Sequence, residues 1–458
     1  MIDGAKAMIG RHRLFEAAVL ALAFTAALLV LPGSAHAGTI TAGEPSHTSA
    51  DPRSIVFKVK VDAPAGLQSA TLDYKLFNPD TTVGGSQPAD VSGGAGEVTV
   101  TLETNSPTRY IPIGSRFTYT WTLVDKEGGR AVTPQREFIF LDGRYQWQQK
   151  TSGNFTAYWY GDNARNADLA LQAAASSTAA NEALLNVKIT YPIRLVIWRQ
   201  ESEGEMAQVP RSRTLDRETI TGGTRVAPDV VHIYDPYGGF VEVVKHEIAH
   251  TVTKVAGDGP FAHLPSWIDE GTAVYAQSDP GTEYRSAVDS AVRNDSVTRL
   301  RSMTSASNQA SRVNVFYGQS WSTVKFMIDK YGQPKFAEVY KAFKAGGDMD
   351  AALKQVYGVD QDGLYNQWRQ SVGLKPIDFP PETSTVVPQA QGTRAPLGIG
   401  TPSAGSSSQA AGGGDAAAAP AEKSSSKLMP AVIVGAVTVL LAAGMGFGAF
   451  RLSRKPKA

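Results

Sequence analysis

Val241-Glu-Val-Val-Lys-His-Glu-Ile-Ala-His-Thr-Val-Thr-Lys-Val255 is the stretch that decides the reading of this chain. Val241, Val244, Ile248, Val252 and Val255 recur at helical spacing and form a narrow apolar stripe. At about 100° per residue, His246 and His250 point to the opposite side of that helix. One face then packs on a core, while the other aims two imidazoles at one point. Two nitrogen ligands to a zinc ion need that arrangement. Glu247 stands on the flank, placed to take a proton from water that the metal has made acidic without being a ligand itself.

A catalytic zinc takes a third protein ligand and leaves a position open. Downstream lies Leu264-Pro-Ser-Trp-Ile-Asp-Glu-Gly-Thr-Ala-Val-Tyr275. Ser266 and Asp269 have the spacing of a capping box that opens a helix there. Glu270 would project from its first turn, and Gly271 would let the helix approach another backbone closely. Nineteen residues separate His250 from Glu270, room for a loop and a return. His263, in that loop, is a weaker alternative ligand. His232, near the end of a strand before the metal helix, reads as a sheet or cleft residue. Asp269 reads as a cap.

H-E-x-x-H followed about twenty residues later by W-x-x-E-G-x-A resembles the gluzincin metallopeptidases, and among them the peptidase MA-like domains of bacterial surface proteins. The resemblance spans roughly 145–374 and takes in Tyr317-Gly-Gln-Ser-Trp321 and Lys330-Tyr-Gly332, which recur in that group as a helix after the third ligand. It implies a thermolysin-like fold with one Zn2+ ion held by His246, His250 and Glu270. Glu247 would be the general base, and the substrate a peptide or protein. Three departures qualify it. Aminopeptidases of the group usually place eighteen residues before the third ligand. Their G-x-M-E-N segment, which holds a substrate's free amino end, is absent, so an endopeptidase is expected. Thermolysin has an Asp four residues after its ligand Glu, where this chain has Val274, so no hydrogen-bond partner for a ligand histidine is identified. A tyrosine on a later helix of related enzymes bonds the oxyanion, which makes Tyr317 a catalytic candidate. Tyr317 also belongs to an apolar stripe with Trp321, Val324, Ile328 and Tyr331, so a core role is equally open. In such peptidases an edge strand near the metal pairs with substrate backbone. Val230–Tyr234 is one candidate for it, an interior strand the alternative.

Around this region the chain is organised in segments. With 458 residues it holds two or three domains. Residues 38–142 alternate as short strands, at Ser54–Val61, Ala70–Leu76, Glu97–Leu102 and Arg116–Leu123. A return strand is expected near Arg136–Leu141. The layout resembles an immunoglobulin or fibronectin type III sandwich, whose task would be spacing or recognition. Residues 145–374 read as α+β, a small sheet and then a run of helices. Residues 375–427 are rich in Pro, Ala, Gly and Ser and read as a disordered linker with a reach of roughly 40 Å.

The ends read as addresses. Lys6, Arg11 and Arg13, an apolar run to Leu31 and Ala35-His-Ala37 have the order of a signal peptide over residues 1–37. Leu428–Phe450 is almost wholly apolar and would make a helix of about 34 Å, enough to cross a membrane. Arg451, Arg454, Lys455 and Lys457 follow, which places the tail 451–458 in the cytoplasm and the rest outside. Lys plus Arg number 44 and Asp plus Glu 43, so no global charge favours nucleic acid. With no cysteine, disulfides, thiolate ligands and cysteine nucleophiles are excluded. The segment order also suits a surface adhesion or sensing protein with an inactive peptidase-like domain; the complete set of base and ligands argues against that.

Overall fold

The computed structural model describes residues 40–92, 96–208, 222–234, 239–304 and 310–379. The expected signal peptide, nearly all of the linker, and the membrane helix lie outside these residues. Among the described residues no helix is long and apolar enough to cross a membrane.

The N-terminal third is a sandwich of two antiparallel sheets. In one, β1 (Ser54–Asp62) pairs with β4 (Gly96–Glu103) and with two short flanking strands. In the other, β5 (Arg116–Asp125) is central, with β2 (Leu67–Leu76) on one side and β3 (Val83–Pro88) beyond it. Strict alternation sets the inner faces: Ile55, Phe57, Val59 and Val61 from one sheet meet Phe117, Tyr119, Trp121 and Leu123 from the other. The strand returning from β5 begins earlier than expected. It forms β6 (Arg130–Val132), breaks at Pro134, and resumes as β7 (Arg136–Ile139) on the same neighbour. Proline has no N–H for the ladder, which explains the break.

The second region is built on a five-stranded mixed sheet. Its order is β8 (Gln148–Ser152), β9 (Phe155–Trp159), β10 (Ile193–Ile197), β12 (Val230–Ile233), β11 (Gly223–Ala227). The three middle strands are parallel, and the two edges run antiparallel to their neighbours. Helix α1 (Ala164–Leu185) makes the crossover from β9 to β10 and lies beside α2 (Phe240–Gly257). After α2 come α3 (Ser266–Ala276), α4 (Thr282–Arg293), α5 (Ala310–Tyr331), α6 (Gln333–Gly346), α7 (Met349–Tyr357) and α8 (Gln361–Ser371). They close around a helical core that includes Trp267, Val324, Phe336, Tyr340 and Trp368.

The sandwich is not a free-standing spacer. One face of the mixed sheet packs on α1 and α2 through Ile193, Leu195, Val231 and Ile233. The other face contributes Val196, Trp198, Val230 and Tyr234 to the same apolar core as the sandwich. Polar contacts pin this seam. Arg194 donates from Nε to the Gly114 carbonyl at 2.6 Å and forms a buried ion pair with Asp229. His232 donates from Nε2 to the Ile113 carbonyl at 2.8 Å. Asn105 donates to the carbonyls of Met206 and Gln208, each at 2.9 Å. The sheet that carries the site therefore rests on the sandwich as on a second layer.

Candidate metal centre

Helix α2 presents the metal motif, but its environment differs from a half-exposed amphipathic helix. His246, Glu247 and His250 are each 0% exposed, as are Val244, Ile248 and Val252 on the stripe side. The stripe faces the sheet and α1 as its spacing requires, although Val241 and Val255 at its ends are only half-buried. The histidine side is covered by α3, which packs on α2 and on α5. Gly271 makes that possible: a Cβ there would sit 2.4 Å from the Ser320 carbonyl oxygen of α5. The close crossing brings the neighbouring Glu270 over the two imidazoles.

His246, His250 and Glu270 each offer one ligand atom, and these atoms lie within 4.8 Å of one another. Glu270 Oε2 stands 3.3 Å from His246 Nε2 and 3.4 Å from His250 Nε2. Ligand atoms about 2.1 Å from a tetrahedral zinc are about 3.4 Å apart, so the two edges from Glu270 Oε2 fit that ion. All three atoms are buried and none makes a hydrogen bond. Leaving three polar atoms buried and unpaired is costly unless a cation completes them. The donor set, two imidazoles and a carboxylate, suits zinc in its catalytic form.

Glu247 is held from the sheet side. Its Oε2 accepts the Arg225 backbone N–H of β11 at 3.0 Å, while Oε1 has no partner. Burial raises its pKa to about 8. Gly223, two residues along β11, lies so close that a Cβ would meet Glu247 Cγ at 2.8 Å. Among the described residues the edge strand at the site is therefore β11, and Val230–Ile233 is the interior strand beside it. Of the two readings open for Val230–Tyr234, the interior strand is the one the structure shows. The reason is that residues 223–227 fold back antiparallel and cover it.

Asp269 is not a cap. Pro265 occupies the N-cap position of α3, no side chain caps that end, and Ser266 Oγ donates instead to the Thr304 carbonyl at 2.5 Å. Asp269 turns inward and accepts from His250 Nδ1 at 3.1 Å and from Thr253 Oγ1 at 2.5 Å, both on Oδ1. Its Oδ2 is 2.8 Å from Lys254 Nζ. This is the histidine partner that comparison with thermolysin did not locate. Its only sequence signal is its place directly before Glu270. Burial opposes ionisation of Asp269, but the His250 and Lys254 charges outweigh it and hold the pKa well below the usual range. His250 answers in the other direction. Burial lowers its pKa, the Asp269 and Glu270 charges raise it further, and it ends at about 10. His246 has no such partner, and burial lowers its pKa.

Tyr317, on α5, is buried and reaches the site. Its ring centroid is 6.4 Å from that of His246, edge to face, and 5.4 Å from that of Tyr284, on which it stacks. It also belongs to the helical core, so both sequence readings describe its surroundings. His263 is exposed and bonds Asp258 Oδ2 from Nδ1 at 2.9 Å, which removes it as a ligand. His232 is committed to the sandwich seam.

Comparison with known proteins adds the following. Among curated proteins none matches this chain. An M1 zinc metallopeptidase from Deinococcus radiodurans is 10% identical, with 75% of this chain and 96% of that chain covered at a TM-score of 0.32. An aminopeptidase N family protein from Idiomarina loihiensis is 9% identical, with 75% and 77% covered at 0.35. The third fibronectin III domain of human KIAA0343 protein is 14% identical, covering 26% of this chain and 94% of that domain at 0.19. Likenesses this loose carry no argument about fold or activity. The family model of the Peptidase MA superfamily matches residues 230–373, the stretch that holds His246, Glu247, His250, Glu270 and Tyr317, and this part of the chain is peptidase-like on that match.

Proposed function

We propose that the chain is a zinc-dependent endopeptidase that works on the outer face of a membrane, to which the apolar segment 428–450 anchors it. The observation that carries the reading is the set of three buried, unbonded ligand atoms, with Glu270 Oε2 at 3.3 and 3.4 Å from the two imidazole nitrogens. His246, His250 and Glu270 would hold one Zn2+ ion. When bound, zinc supplies a Lewis acid that lowers the pKa of water toward neutrality and polarises a carbonyl.

The chain's own residues do the rest. The outer backbone edge of β11, which has one neighbour strand among the described residues, lays an extended peptide across the site by strand addition. Glu247, with Oε2 tied to β11, uses Oε1 to take the proton of the attacking water. It returns that proton to the leaving amine nitrogen as the C–N bond breaks. The Tyr317 hydroxyl donates to the oxygen that becomes negative in the transition state. Gly223-Thr-Arg-Val-Ala227 carries no carboxylate to capture a free amino end, which supports internal cleavage.

Glu247→Gln tests the mechanism. The variant should keep zinc and lose chelator-sensitive cleavage of a mixed peptide library. Parent-like cleavage would sink it. Glu270→Ala should lose zinc on metal analysis, and full occupancy would remove Glu270 from the ligand set.

A further inference from the structure

We propose that Arg225 is a specificity-determining residue of the cleft, a cation on the substrate-pairing strand that favours peptides with an acidic side chain close to the bond that is cut. The inference rests on the peptidase reading above and names a preference within it.

The register of β11 sets where Arg225 points. Gly223, Thr224 and Arg225 stand opposite Ile233, His232 and Val231 of β12 with no slip among them. Ile233 and Val231 belong to the core that the sheet shares with α1 and α2, while His232 turns to the sandwich. Side chains directly opposite in a ladder share a face, so Gly223 and Arg225 lie on the helix face, with the metal motif. Gly223 agrees, since a Cβ there would meet Glu247 and Val243 of α2. The Arg225 N–H holds Glu247 Oε2 at 3.0 Å, so the Arg225 side chain leaves the strand beside the base.

That side chain lacks a counter-charge. It is half-buried, and its Nε is buried without a hydrogen bond. Among the described residues no carboxylate stands within ion-pair distance of it. Burial lowers its pKa, and Tyr191, Asp269, Asp258 and Asp80 offset only part of that effect. Two of these acids are engaged elsewhere. Asp269 takes His250, Thr253 and Lys254, and Asp258 takes His263 and the Leu264 N–H. Arg194 of the same sheet is the contrast, with both a carbonyl and Asp229 as partners. A guanidinium does not give up its proton, so Arg225 keeps a partly desolvated charge that the fold leaves uncompensated. Strand addition along the outer edge of β11 supplies the missing partner. Alternate side chains of an added peptide fall on the helix face, one of them opposite or diagonal to Arg225 and within reach of it. A carboxylate at that position can take two parallel N–H bonds from the fork, and a lysine or arginine is repelled.

The experiment uses the full-length, zinc-loaded chain in detergent and acetylated, amidated peptides in which Glu or Gln is placed at each position around the cut in turn. The readout is the ratio of kcat/KM for the Glu and Gln members of each pair. Taking the ratio within one variant cancels any loss of rate that comes from disturbing the backbone bond to Glu247. In the parent the ratio should reach about 10–100 at one position near the cut. Arg225→Met should bring it to within about threefold of one. Arg225→Lys should keep a smaller preference, because the charge stays and the fork is lost. Melting of each variant checks folding. A parent with no Glu preference at any position would overturn the inference without any variant, and so would an undiminished preference in Arg225→Met. A second set with free C-terminal acids separates the two sources of a carboxylate. A preference seen only in that set would assign Arg225 to the chain end and overturn the side-chain assignment. If the parent cleaves none of the peptides in a chelator-sensitive way, the peptidase reading itself falls, and the preference with it.

Discussion

Gly223→Ala is a small change with a large expected consequence. The added Cβ would lie 2.8 Å from Glu247 Cγ, 2.9 Å from Val243 Cγ1 and 3.2 Å from the His232 carbonyl oxygen. Comfortable carbon–carbon contact begins near 3.5 Å, so roughly 0.7 Å must be found. Helix α2 cannot give it, because Val243, Ile248 and Val252 are wholly buried against the sheet and neighbouring helices. β11 can, since among the described residues it has one neighbour strand, and its register is irregular between Arg225 and Ala227. The strand retreats, and the 3.0 Å bond from Arg225 N to Glu247 Oε2 is lost. Overpacking of this kind costs about 1–3 kcal/mol, which melting would read as a drop of several degrees. A base displaced by about an ångström loses on the order of 100-fold in rate. Zinc content should be unchanged, because Gly223 touches no ligand among the contacts of its added Cβ. The assay combines melting, metal analysis and cleavage of the mixed peptide library. Parent-like melting with parent-like cleavage would refute the packing of β11 on the base. Loss of zinc in place of activity would show that the strand supports the ligands and leaves Glu247 alone.

Tyr317→Phe keeps the ring that stacks on Tyr284 and removes only the hydroxyl. It should lower kcat about 100-fold with KM and zinc content unchanged, whereas parent-like kcat would leave Tyr317 a core residue alone. Zinc loading should release protons. Without an ion His250 is raised to about 10 and Glu247 to about 8, so above pH 8 Glu247 is already ionised while His250 still holds a proton that a ligand must give up. Affinity should therefore rise about tenfold per pH unit from 8 to 10 and flatten beyond. Calorimetry in two buffers of different ionisation heat counts the proton, and a value near zero would contradict the ion-free charge state. Arg194→Met leaves Asp229 buried against the sandwich without its partner. It should cost about 3–5 kcal/mol on melting, and a loss below 1 would mean the seam does not hold the sheet.

The sandwich and the long helices were legible because each buries one face. Ser54–Asp62 and Arg116–Asp125 alternate residue by residue. In the mixed sheet two strands were not legible, for opposite reasons. Gln148–Ser152 is exposed at every position, so its pairing with β9 leaves no apolar trace. Gly223–Ala227 packs on Glu247 with glycine at the point of contact, so the approach to the base is made by a residue with no side chain to announce it. With that strand unseen, Val230–Tyr234 stayed open between an edge and an interior strand.

For the site, helical phase gave the direction of both histidines and stopped there. Phase says which side is apolar, not what covers the other side, and here α3 covers it because Gly271 admits α5 at backbone distance. Asp269 shows the same limit more sharply. An acidic residue in the first turn of a helix can serve the helix end or the interior, and the sequence around it looks like a cap. Pro265 removes the need for one, since it holds the N-cap position with no side-chain bond at that end, and the Ser266 hydroxyl is drawn away to Thr304. Asp269 is then free to face α2, about 100° around the helix from Glu270. That angle is what lets neighbours in sequence reach opposite nitrogens of one imidazole. A ligand at Glu270 thus implies that position 269 lies beside the ligand's own histidine, and a carboxylate there has one productive thing to do, which is to fix that ring for the metal.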